Sequence, residues 1–360
     1  MDGPRRPVVA VVGVGLIGGS IGLAARERLG ASVRGFDPVE GARALARGAV
    51  TSACASVAEA ADGADFVFVA VPVGALPDTV AEALAAAGPE CVVTDVGSTK
   101  RSVVAAVDDP RFIGGHPLAG AETAGVEHAR ADLFDGATWY LTPTARTGGI
   151  LYERLHRLLV ELGARPAALD PDTHDALLAT VSHLPHVLAN VLVARAARVL
   201  SDEGERLPAT GPSFRDATRV AGANTGIWRD IYLANADALV AAIDDTVARL
   251  GEVRGALAAR DGDAVAAWND GAREERRRLL EADLAGGEVH ELRVAVPNRP
   301  GVVAEVALAL GRAGVNILDM ALYPAPDQSS GTIALWIAGE RHAVEAQELV
   351  EGLGLTVARA

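Results

Sequence analysis

The chain has 360 residues, half of them hydrophobic, a formal net charge of −14 and two cysteines. This length predicts two or three domains, since domains typically run to roughly 100–200 residues, and the acidic balance argues against nucleic acid or an anionic membrane as a partner. Two cysteines without paired or metal-ligand spacing favour a cytoplasmic protein with neither disulfides nor a bound metal.

The first half of the chain alternates short apolar strands with helices, which predicts a parallel, doubly wound sheet of the Rossmann type over residues 1–171. Two arginines before the first apolar run resemble a secretion signal, but the glycines of that run follow a cofactor-binding pattern, so we reject that interpretation. No other segment is expected to be long and apolar enough to cross a bilayer. The predicted strands are 8–13, 32–36, 66–71, 91–95 and 112–113, with helices at 16–29 and near Val57.

The middle of the chain loses its strand signals after about Pro171, which predicts an all-helical second domain over residues 172–286. Its long apolar helices exceed what a small domain needs for its own core. We therefore expect burial against a second subunit in a homodimer. The predicted helices are 172–203, 226–257 and 264–284.

The end of the chain, after a linker at Gly286-Gly287, again mixes strands and helices. The order strand, helix, strand, strand, helix, strand is ferredoxin-like and predicts a third domain over residues 287–360. The predicted strands are 291–296, 316–322, 332–337 and 355–358, and the predicted helices are 302–313 and 343–353.

A glycine-rich turn, GVGLIG, joins the first predicted strand to the first predicted helix. In a dinucleotide-binding turn the first glycine permits the tight bend, the second admits the pyrophosphate and the third packs helix on strand. Asp37, at the end of the second strand, would bind a ribose 2′-hydroxyl and repel a 2′-phosphate, which favours NAD over NADP. An ordinary glycine-rich turn is the alternative. The predicted cofactor-binding residues are Gly13, Gly15, Leu16, Ile17, Gly18, Asp37, Val71 and Pro72.

Lys100 is the single lysine among 33 basic residues. Because an ammonium is a compact point charge and a guanidinium a planar fork, a site that needs the first cannot accept the second. Lys100 and Arg101 follow a strand and begin a helix whose predicted N-cap is Ser98. Two cations oppose the helix macrodipole there, so we expect an anion beside them, as in an anion-binding active site. A surface lysine without function is the alternative.

His116 lies in the segment GGHPLAG, just past the carboxyl end of a predicted strand, where open α/β sheets bind ligands. Histidine is the usual proton acceptor when an alcohol is oxidised by hydride transfer. The glycines around His116 would hold it on backbone with little side-chain bulk. A structural histidine in a turn is the alternative.

The helical domain carries two further polar patterns. Ser182, His186 and Asn190 recur at four-residue spacing, so they share one helix face that resembles a cavity wall, and a proline between them should kink the helix. A metal bound by His183 and His186 would lack an obvious third ligand. Arg215 and Arg219 lie one turn apart, where a guanidinium could grip a carboxylate bidentately, although a solvated basic face fits equally.

These segments together resemble the prephenate/arogenate dehydrogenase family of tyrosine biosynthesis, and the last segment resembles an ACT domain. The resemblance implies NAD-dependent oxidation of prephenate to 4-hydroxyphenylpyruvate with loss of carbon dioxide. It also implies feedback by an aromatic amino acid, with tyrosine as the expected effector, at the turn 298–301, unless the ACT domain serves assembly alone. The matching stretches are GVGLIGGS, FDP, DVGSTK, GGHPLAGAE, THDALLATVSHLPH, FRDATR, IWRDIYLAN and VPNRPGVVAEVALALGRAGVNILDM.

The same resemblance implies a role for each matching site residue. His116 would take the proton of the ring hydroxyl, while Ser98 orients that hydroxyl beside the nicotinamide. Arg219 would hold a substrate carboxylate, His186 would reach into the pocket and Glu122 would lie at its rim. The predicted catalytic residues are His116 and Ser98, and the predicted substrate-binding residues are Arg219, His186, Lys100 and Glu122.

Three other functions stay open at this point. An arogenate dehydrogenase differs only in an amino group in place of the keto group on the substrate side chain. A β-hydroxyacid dehydrogenase would need a catalytic lysine in the long helix, where there is none. A non-catalytic protein that senses NAD and amino acids would not need Ser98, His116 and Arg219 together.

Ala121 departs from the family, since relatives often carry a hydroxyl side chain there.

Overall fold

A computed structural model of the chain describes residues 6–120, 123–201, 211–282, 289–325 and 329–359. By their contacts these residues form two compact units, of which the first combines residues 1–175 with 289–360 and the second comprises residues 176–288. The first unit opens with eight strands that alternate with helices. They are β1 (Val8–Val12), α1 (Leu16–Leu29), β2 (Ser32–Phe36), α2 (Gly41–Arg47), β3 (Ser52–Ala53), α3 (Val57–Ala61), β4 (Phe66–Val69), α4 (Leu76–Ala86), β5 (Val92–Asp95), α5 (Arg101–Ala106), β6 (Phe112–Pro117), β7 (Thr138–Thr142), α6 (Gly149–Glu161) and β8 (Arg165–Ala168).

These eight strands form one sheet in the order β3-β2-β1-β4-β5-β6-β7-β8. The pairs from β3 to β6 are all parallel, β7 runs antiparallel to β6, and β8 is parallel to β7. Strands β4 and β5 are buried along their whole length, which is typical of parallel strands covered on both faces. The predicted Rossmann-type parallel sheet is confirmed, with an antiparallel strand that the sequence did not indicate.

Two of the strand ends that differ from their predicted positions lie near predicted site residues. Strand β4 stops at Val69 instead of reaching Val71. Strand β6 continues to Pro117, so His116 lies inside the strand and not past its end. The reason is the antiparallel pairing with β7, which places His116 opposite Tyr140.

The second unit is all-helical in its described residues, as predicted. One continuous helical stretch enters it from the first unit, and one turn of it (Ala179–His183) is π-helical. The ring of Pro185 needs the carbonyl four residues earlier, that of Val181, to move aside. Val181 lies in this wider turn, which gives its carbonyl the room to do so. The helices are α7 (Pro171–Leu178), α8 (Leu184–Ser201), α9 (Pro212–Thr218), α10 (Thr225–Ala234), α11 (Ala236–Ala259) and α12 (Gly262–Ala282).

The stretch Pro171–Arg198 corrects one expectation. By length and composition alone these 28 residues could cross a membrane, although no such segment is expected from the sequence. A core helix of a soluble protein passes the same test. The stretch also carries the buried polar side chains of His174, Asp175, His183 and His186, which are costly in hydrocarbon.

The end of the first unit forms a second, four-stranded antiparallel sheet. Its order, β10-β11-β9-β12, is the ferredoxin-like arrangement that the sequence predicted. Helix α13 packs so closely against β8 of the first sheet that a Cβ on Gly311 would lie 1.6 Å from the Ala168 carbonyl oxygen. The elements are β9 (Val289–Pro297), α13 (Val302–Arg312), β10 (Ile317–Pro324), β11 (Ser330–Ala338), α14 (Glu340–Gly352) and β12 (Thr356–Arg359).

Candidate active site

The glycine-rich turn after β1 has the backbone geometry of a dinucleotide site. Gly13 has φ +88°, and a Cβ there would lie 2.3 Å from the Ala70 carbonyl oxygen. A Cβ on Gly18 would lie 1.9 Å from the Gly13 carbonyl oxygen, so α1 can pack on the turn only with glycine at this position. Gly15 faces open space within 4 Å, which leaves room for a pyrophosphate. Each glycine therefore meets the requirement of the predicted NAD site.

The surroundings of this turn also fit NAD. Helix α1 follows Gly15, and no described side chain caps its first turn, so its backbone N–H groups can meet a phosphate. Asp37 ends β2 and accepts hydrogen bonds from the N–H groups of Val14, Val39 and Glu40, at 3.1, 2.8 and 2.8 Å. These bonds fix the Asp37 carboxylate against the glycine-rich turn, where an adenosine ribose would lie. The predicted residues Val71 and Pro72 follow β4 at the same edge of the sheet.

Ser98 and His116 lie at this carboxyl edge as well. Ser98 is half-buried in the turn after β5, and His116 is 8% exposed near the end of β6. The two strands pair in parallel, and the Gly115 N–H donates to Asp95 Oδ1 at 3.1 Å. A Cβ on Gly115 would lie 2.6 Å from the Asp95 carbonyl oxygen. The glycine before His116 thus lets the histidine strand approach the turn that carries Ser98.

Lys100 is fully buried, which corrects the expectation that it meets a substrate anion. Its ammonium donates to Asp95 Oδ2 and, at 2.7 Å, to the Gly115 carbonyl oxygen. Burial lowers the pKa of Lys100, against the opposing charges of Asp95 and Asp175. The compact ammonium therefore joins the ends of β5 and β6, in a space where a guanidinium fork would have to displace buried groups.

The anion expected beside the two cations belongs to the chain itself. Asp175, on α7, accepts hydrogen bonds from the backbone N–H of Lys100 at 2.7 Å and of Arg101 at 3.0 Å. The Arg101 Nε atom also lies 3.3 Å from Asp175 Oδ2. The predicted N-cap at Ser98 is wrong, because α5 begins at Arg101 with Lys100 as its N-cap, and a distant carboxylate caps it.

Asp175 also connects to His116 through His174, which is not among the predicted site residues. His174 Nδ1 lies 2.8 Å from Asp175 Oδ1, and its Nε2 lies 3.0 Å from His116 Nδ1. Burial lowers the pKa of His174, and its bond to Asp175 opposes that effect. Burial raises the pKa of Asp175, but the hydrogen bonds that it accepts outweigh burial and leave the pKa low. The available sequence signal was the His-Asp pair inside the matching stretch THDALLATVSHLPH.

In the second unit, His186 is held by aromatic side chains. Its ring stacks on Trp228 with centroids 3.6 Å apart and an interplanar angle of 3°. His186 Nδ1 is also within hydrogen-bond distance of the Tyr232 hydroxyl, and Asn190 donates to the His186 carbonyl oxygen at 2.9 Å. His186 and Asn190 therefore form part of the polar face that the sequence predicted, with an aromatic wall on α10. His183 is bonded instead to Asn235, at 3.2 Å.

The predicted arginine pair belongs to α9, which packs against α8, the helix that carries His186. Arg215 is on α9 and Arg219 is the C-cap residue of that helix, and both are exposed. A hydrogen bond with the backbone of Val220, the residue after Arg219, acts against the burial that lowers the pKa of His186. The predicted rim residue Glu122, and Ala121 before it, lie outside the described residues.

Comparisons with known proteins point to one family along most of the chain. Three family models match, described as the prephenate dehydrogenase nucleotide-binding domain (residues 21–167), the prephenate dehydrogenase dimerization domain (170–269) and the ACT domain (290–349). A Bacillus subtilis prephenate dehydrogenase is 30% identical and covers 96% of each chain. A Zymomonas mobilis cyclohexadienyl dehydrogenase is 35% identical over 71% of this chain and 90% of its own.

Solved structures show the same likeness. A crystal structure of prephenate dehydrogenase from A. aeolicus, in complex with hydroxyphenyl propionate and NAD+, superposes with a TM-score of 0.72 at 27% identity, covering 77% of this chain and all of that one. A Synechocystis arogenate dehydrogenase superposes with a TM-score of 0.64 at 25% identity, covering 76% of this chain and 99% of that one.

Proposed function

The chain belongs to the prephenate dehydrogenase family, and we propose that it catalyses the NAD-dependent oxidative decarboxylation of prephenate to 4-hydroxyphenylpyruvate. The observation that carries this proposal is the placement of His116. A histidine held by a hydrogen bond to its Nδ1 lies at the same sheet edge as a turn that fits NAD. A non-catalytic NAD sensor would need the second feature but not the first.

His116 acts as the general base in this proposal. As hydride leaves the ring carbon, the hydroxyl on that carbon becomes a carbonyl and its proton passes to His116. Bound NAD supplies the hydride acceptor. Ser98, in the turn beside His116, orients the hydroxyl for both transfers. Lys100 acts only indirectly, because its buried ammonium binds the Asp95 carboxylate and the Gly115 carbonyl oxygen, in the segments that lead to Ser98 and His116.

Loss of carbon dioxide follows from the product of this step. The oxidised ring becomes aromatic when the ring carboxylate leaves as carbon dioxide, and the ring oxygen regains its proton to give the phenol. Arg219 binds a substrate carboxylate, since a guanidinium holds carboxylates in a fixed fork. His186, which stacks on Trp228, is a further proposed substrate-binding residue on the strength of the family resemblance. Glu122 stays a proposed rim residue on the strength of the family resemblance.

The test is NADH formation with prephenate and with arogenate as separate substrates. Prephenate should give NADH, carbon dioxide and 4-hydroxyphenylpyruvate in equal amounts. Because the substrates differ in one keto or amino group, the ratio of kcat/KM values measures recognition of that group. A preference for arogenate of more than about tenfold would assign the chain to arogenate oxidation instead.

We propose three domains, residues 1–171, 172–286 and 287–360, with the second forming a homodimer. The family models support these boundaries, since they change at nearly the same positions. Helix α11 supports the dimer: Val240, Val247, Leu250 and Leu257 lie along one face and are each more than half exposed. A monomer leaves such a face in water, whereas a paired helix buries it.

The dimer predicts a clear result for Val247→Glu. A charge in the buried face of a helix pair is unpaired, so we expect dissociation to monomers at micromolar concentration in sedimentation velocity. Leu45→Glu, an exposed leucine in the first unit, is the matched control and should leave the sedimentation coefficient unchanged. A wild-type monomer would contradict the dimer directly.

We further propose that an aromatic amino acid, with tyrosine as the expected effector, binds the ACT domain. The turn 298–301 borders a cavity of about 540 Å³ between α6 and the second sheet, within the size range of small-ligand sites. Arg146, Ile150 and Tyr323 line the same cavity, so a ligand there would touch both the NAD-binding domain and the ACT domain. A ligand that contacts both domains can bind one arrangement of them more tightly than another, and such a difference in affinity would couple its binding to activity.

Filling this cavity should weaken the response to tyrosine. Ile150→Trp places a large ring at the cavity wall, and we expect the tyrosine concentration for half-inhibition to rise more than about tenfold. Val344→Trp adds the same ring to α14, which does not line the cavity, and should leave that concentration unchanged. An unchanged half-inhibition concentration in Ile150→Trp would place the effector elsewhere.

The chain is proposed to work in the cytoplasm. Cys54 and Cys91 are both free thiols in the structure, and Cys91 is buried. Free thiols persist in a reducing compartment, where a disulfide would not.

A further inference from the structure

We propose that His174 and Asp175 form a proton relay behind His116, in which they fix the tautomer of His116 and share the charge that it acquires. This inference rests on the proposed function, since it concerns the base of that reaction. His174 and Asp175 touch no substrate in this scheme. They are positioning residues that act through His116.

The bonding of Asp175 decides which nitrogen of His174 carries hydrogen. Asp175 accepts the N–H groups of Lys100 and Arg101 and lies beside the Arg101 guanidinium. These donors keep the carboxylate ionised, and an ionised carboxylate can only accept hydrogen bonds. Its 2.8 Å contact with His174 Nδ1 therefore requires that Nδ1 carries the hydrogen.

The second step fixes the tautomer of His116. Burial and the nearby Lys100 charge keep His174 neutral, so its Nε2 has a lone pair and no hydrogen. The 3.0 Å contact between His174 Nε2 and His116 Nδ1 then requires that His116 Nδ1 is the donor. Consequently the lone pair of neutral His116 is on Nε2. In this tautomer Nε2 of His116, and not Nδ1, is the nitrogen that can accept a proton.

The third step is the movement of charge during the reaction. When the substrate O–H bond breaks, a new N–H bond forms at His116 Nε2 and leaves an imidazolium. The Nδ1–H bond of His116 can then break as a bond to His174 Nε2 forms, which moves the positive charge next to Asp175. No electron moves in this transfer, and the proton returns by the reverse path when the phenol forms. A neutral base alone would have to keep the charge in a buried pocket.

The other groups around His174 fit this role. Tyr140, on β7, meets its ring edge-on with centroids 5.7 Å apart. Lys100 lowers the pKa of His174, while Asp95 and Asp175 raise it. His174 is therefore poised between one cation and two carboxylates, so that it is neutral at rest and can be charged briefly.

The experiment compares His174→Leu with His174→Gln in the full-length enzyme. Leucine offers no acceptor to His116 Nδ1, whereas the glutamine carbonyl offers an acceptor that cannot take up a proton. We expect kcat to fall about 100-fold with leucine and about tenfold with glutamine. The acidic limb of the kcat/KM profile should move to lower pH by about one unit with leucine and less with glutamine, because the His116 imidazolium loses its acceptor.

The controls separate a relay from packing. His156→Leu removes another buried histidine, on α6. It should change kcat by less than about twofold and move the acidic limb by less than about 0.3 pH units. NAD affinity and the melting temperature report folding. A fall in kcat with an unmoved acidic limb, or wild-type kinetics in His174→Leu, would overturn the relay. If leucine prevents folding, the same two readouts on His174→Gln decide.

Different experimental results would overturn the relay and the proposed function. The wild type is assayed first, on prephenate and on arogenate, and the variants are then compared on whichever substrate it oxidises. Oxidation of arogenate alone would change the substrate and leave the relay to be decided by the variants. Oxidation of neither would overturn both.

Discussion

The buried residues near His116 in the first unit and the proposed substrate-binding residues in the second unit are held in different ways. In the first unit Asp95, Lys100, His174 and Asp175 are each 0% exposed and are bonded to one another. In the second unit Arg219 is exposed, and His186 is positioned mainly by its stack on aromatic rings. The difference indicates that folding fixes the buried network behind His116, whereas the proposed carboxylate-binding residue Arg219 lies at an exposed position. Substitutions should therefore cost stability in the first group and substrate affinity in the second.

The largest effect is expected for Lys100→Met. Methionine matches the length of the lysine stem but leaves the Asp95 carboxylate buried without its cation. Loss of one partner from a buried ion pair costs about 3–5 kcal/mol, so urea denaturation should show a fall of that size in the free energy of unfolding. Arg43→Met, at an exposed ion pair, is the control and should cost less than about 1 kcal/mol.

Lys100→Arg sharpens the same point. The charge is kept, but the guanidinium must fit beside Gly114, whose missing Cβ would lie 3.3 Å from the lysine Cδ. We expect a loss of about 1–3 kcal/mol from overpacking. Wild-type stability in both variants would contradict the structural role of Lys100.

His116→Asn should lower turnover and leave NAD binding intact. Asparagine can still bond to His174 but is not a base, so kcat should fall at least about 100-fold. NAD affinity, measured by titration, should stay within about twofold, because the glycine-rich turn is untouched. Unaffected turnover would remove His116 from its proposed role, and lost NAD binding would show that the substitution disturbs the sheet edge.

The same contrast explains what the sequence could predict. Helix α1 and strand β2 have their predicted bounds, because glycine turns and apolar runs are local signals. The anion beside Lys100 was predicted as a charge but not as Asp175, which is 75 residues further along the chain. Strand β7 was missed as well, since no local pattern marks an antiparallel strand after a parallel series. Local chemistry was therefore visible in the sequence, whereas the partners that long-range folding brings to it were not.

The smallest effect on the fold is expected in the second unit, where the chain offers a matched pair. Arg219→Ala and Arg215→Ala each remove one exposed guanidinium from the same end of α9, so both should leave the melting temperature within about 2 °C. Only Arg219 is proposed to hold a substrate carboxylate. A charge-assisted bond of about 1.5–3 kcal/mol predicts a rise in the substrate KM of roughly 10- to 100-fold for Arg219→Ala. Arg215→Ala should raise it less than about threefold, and equal effects of the two would mean that they form a general basic face.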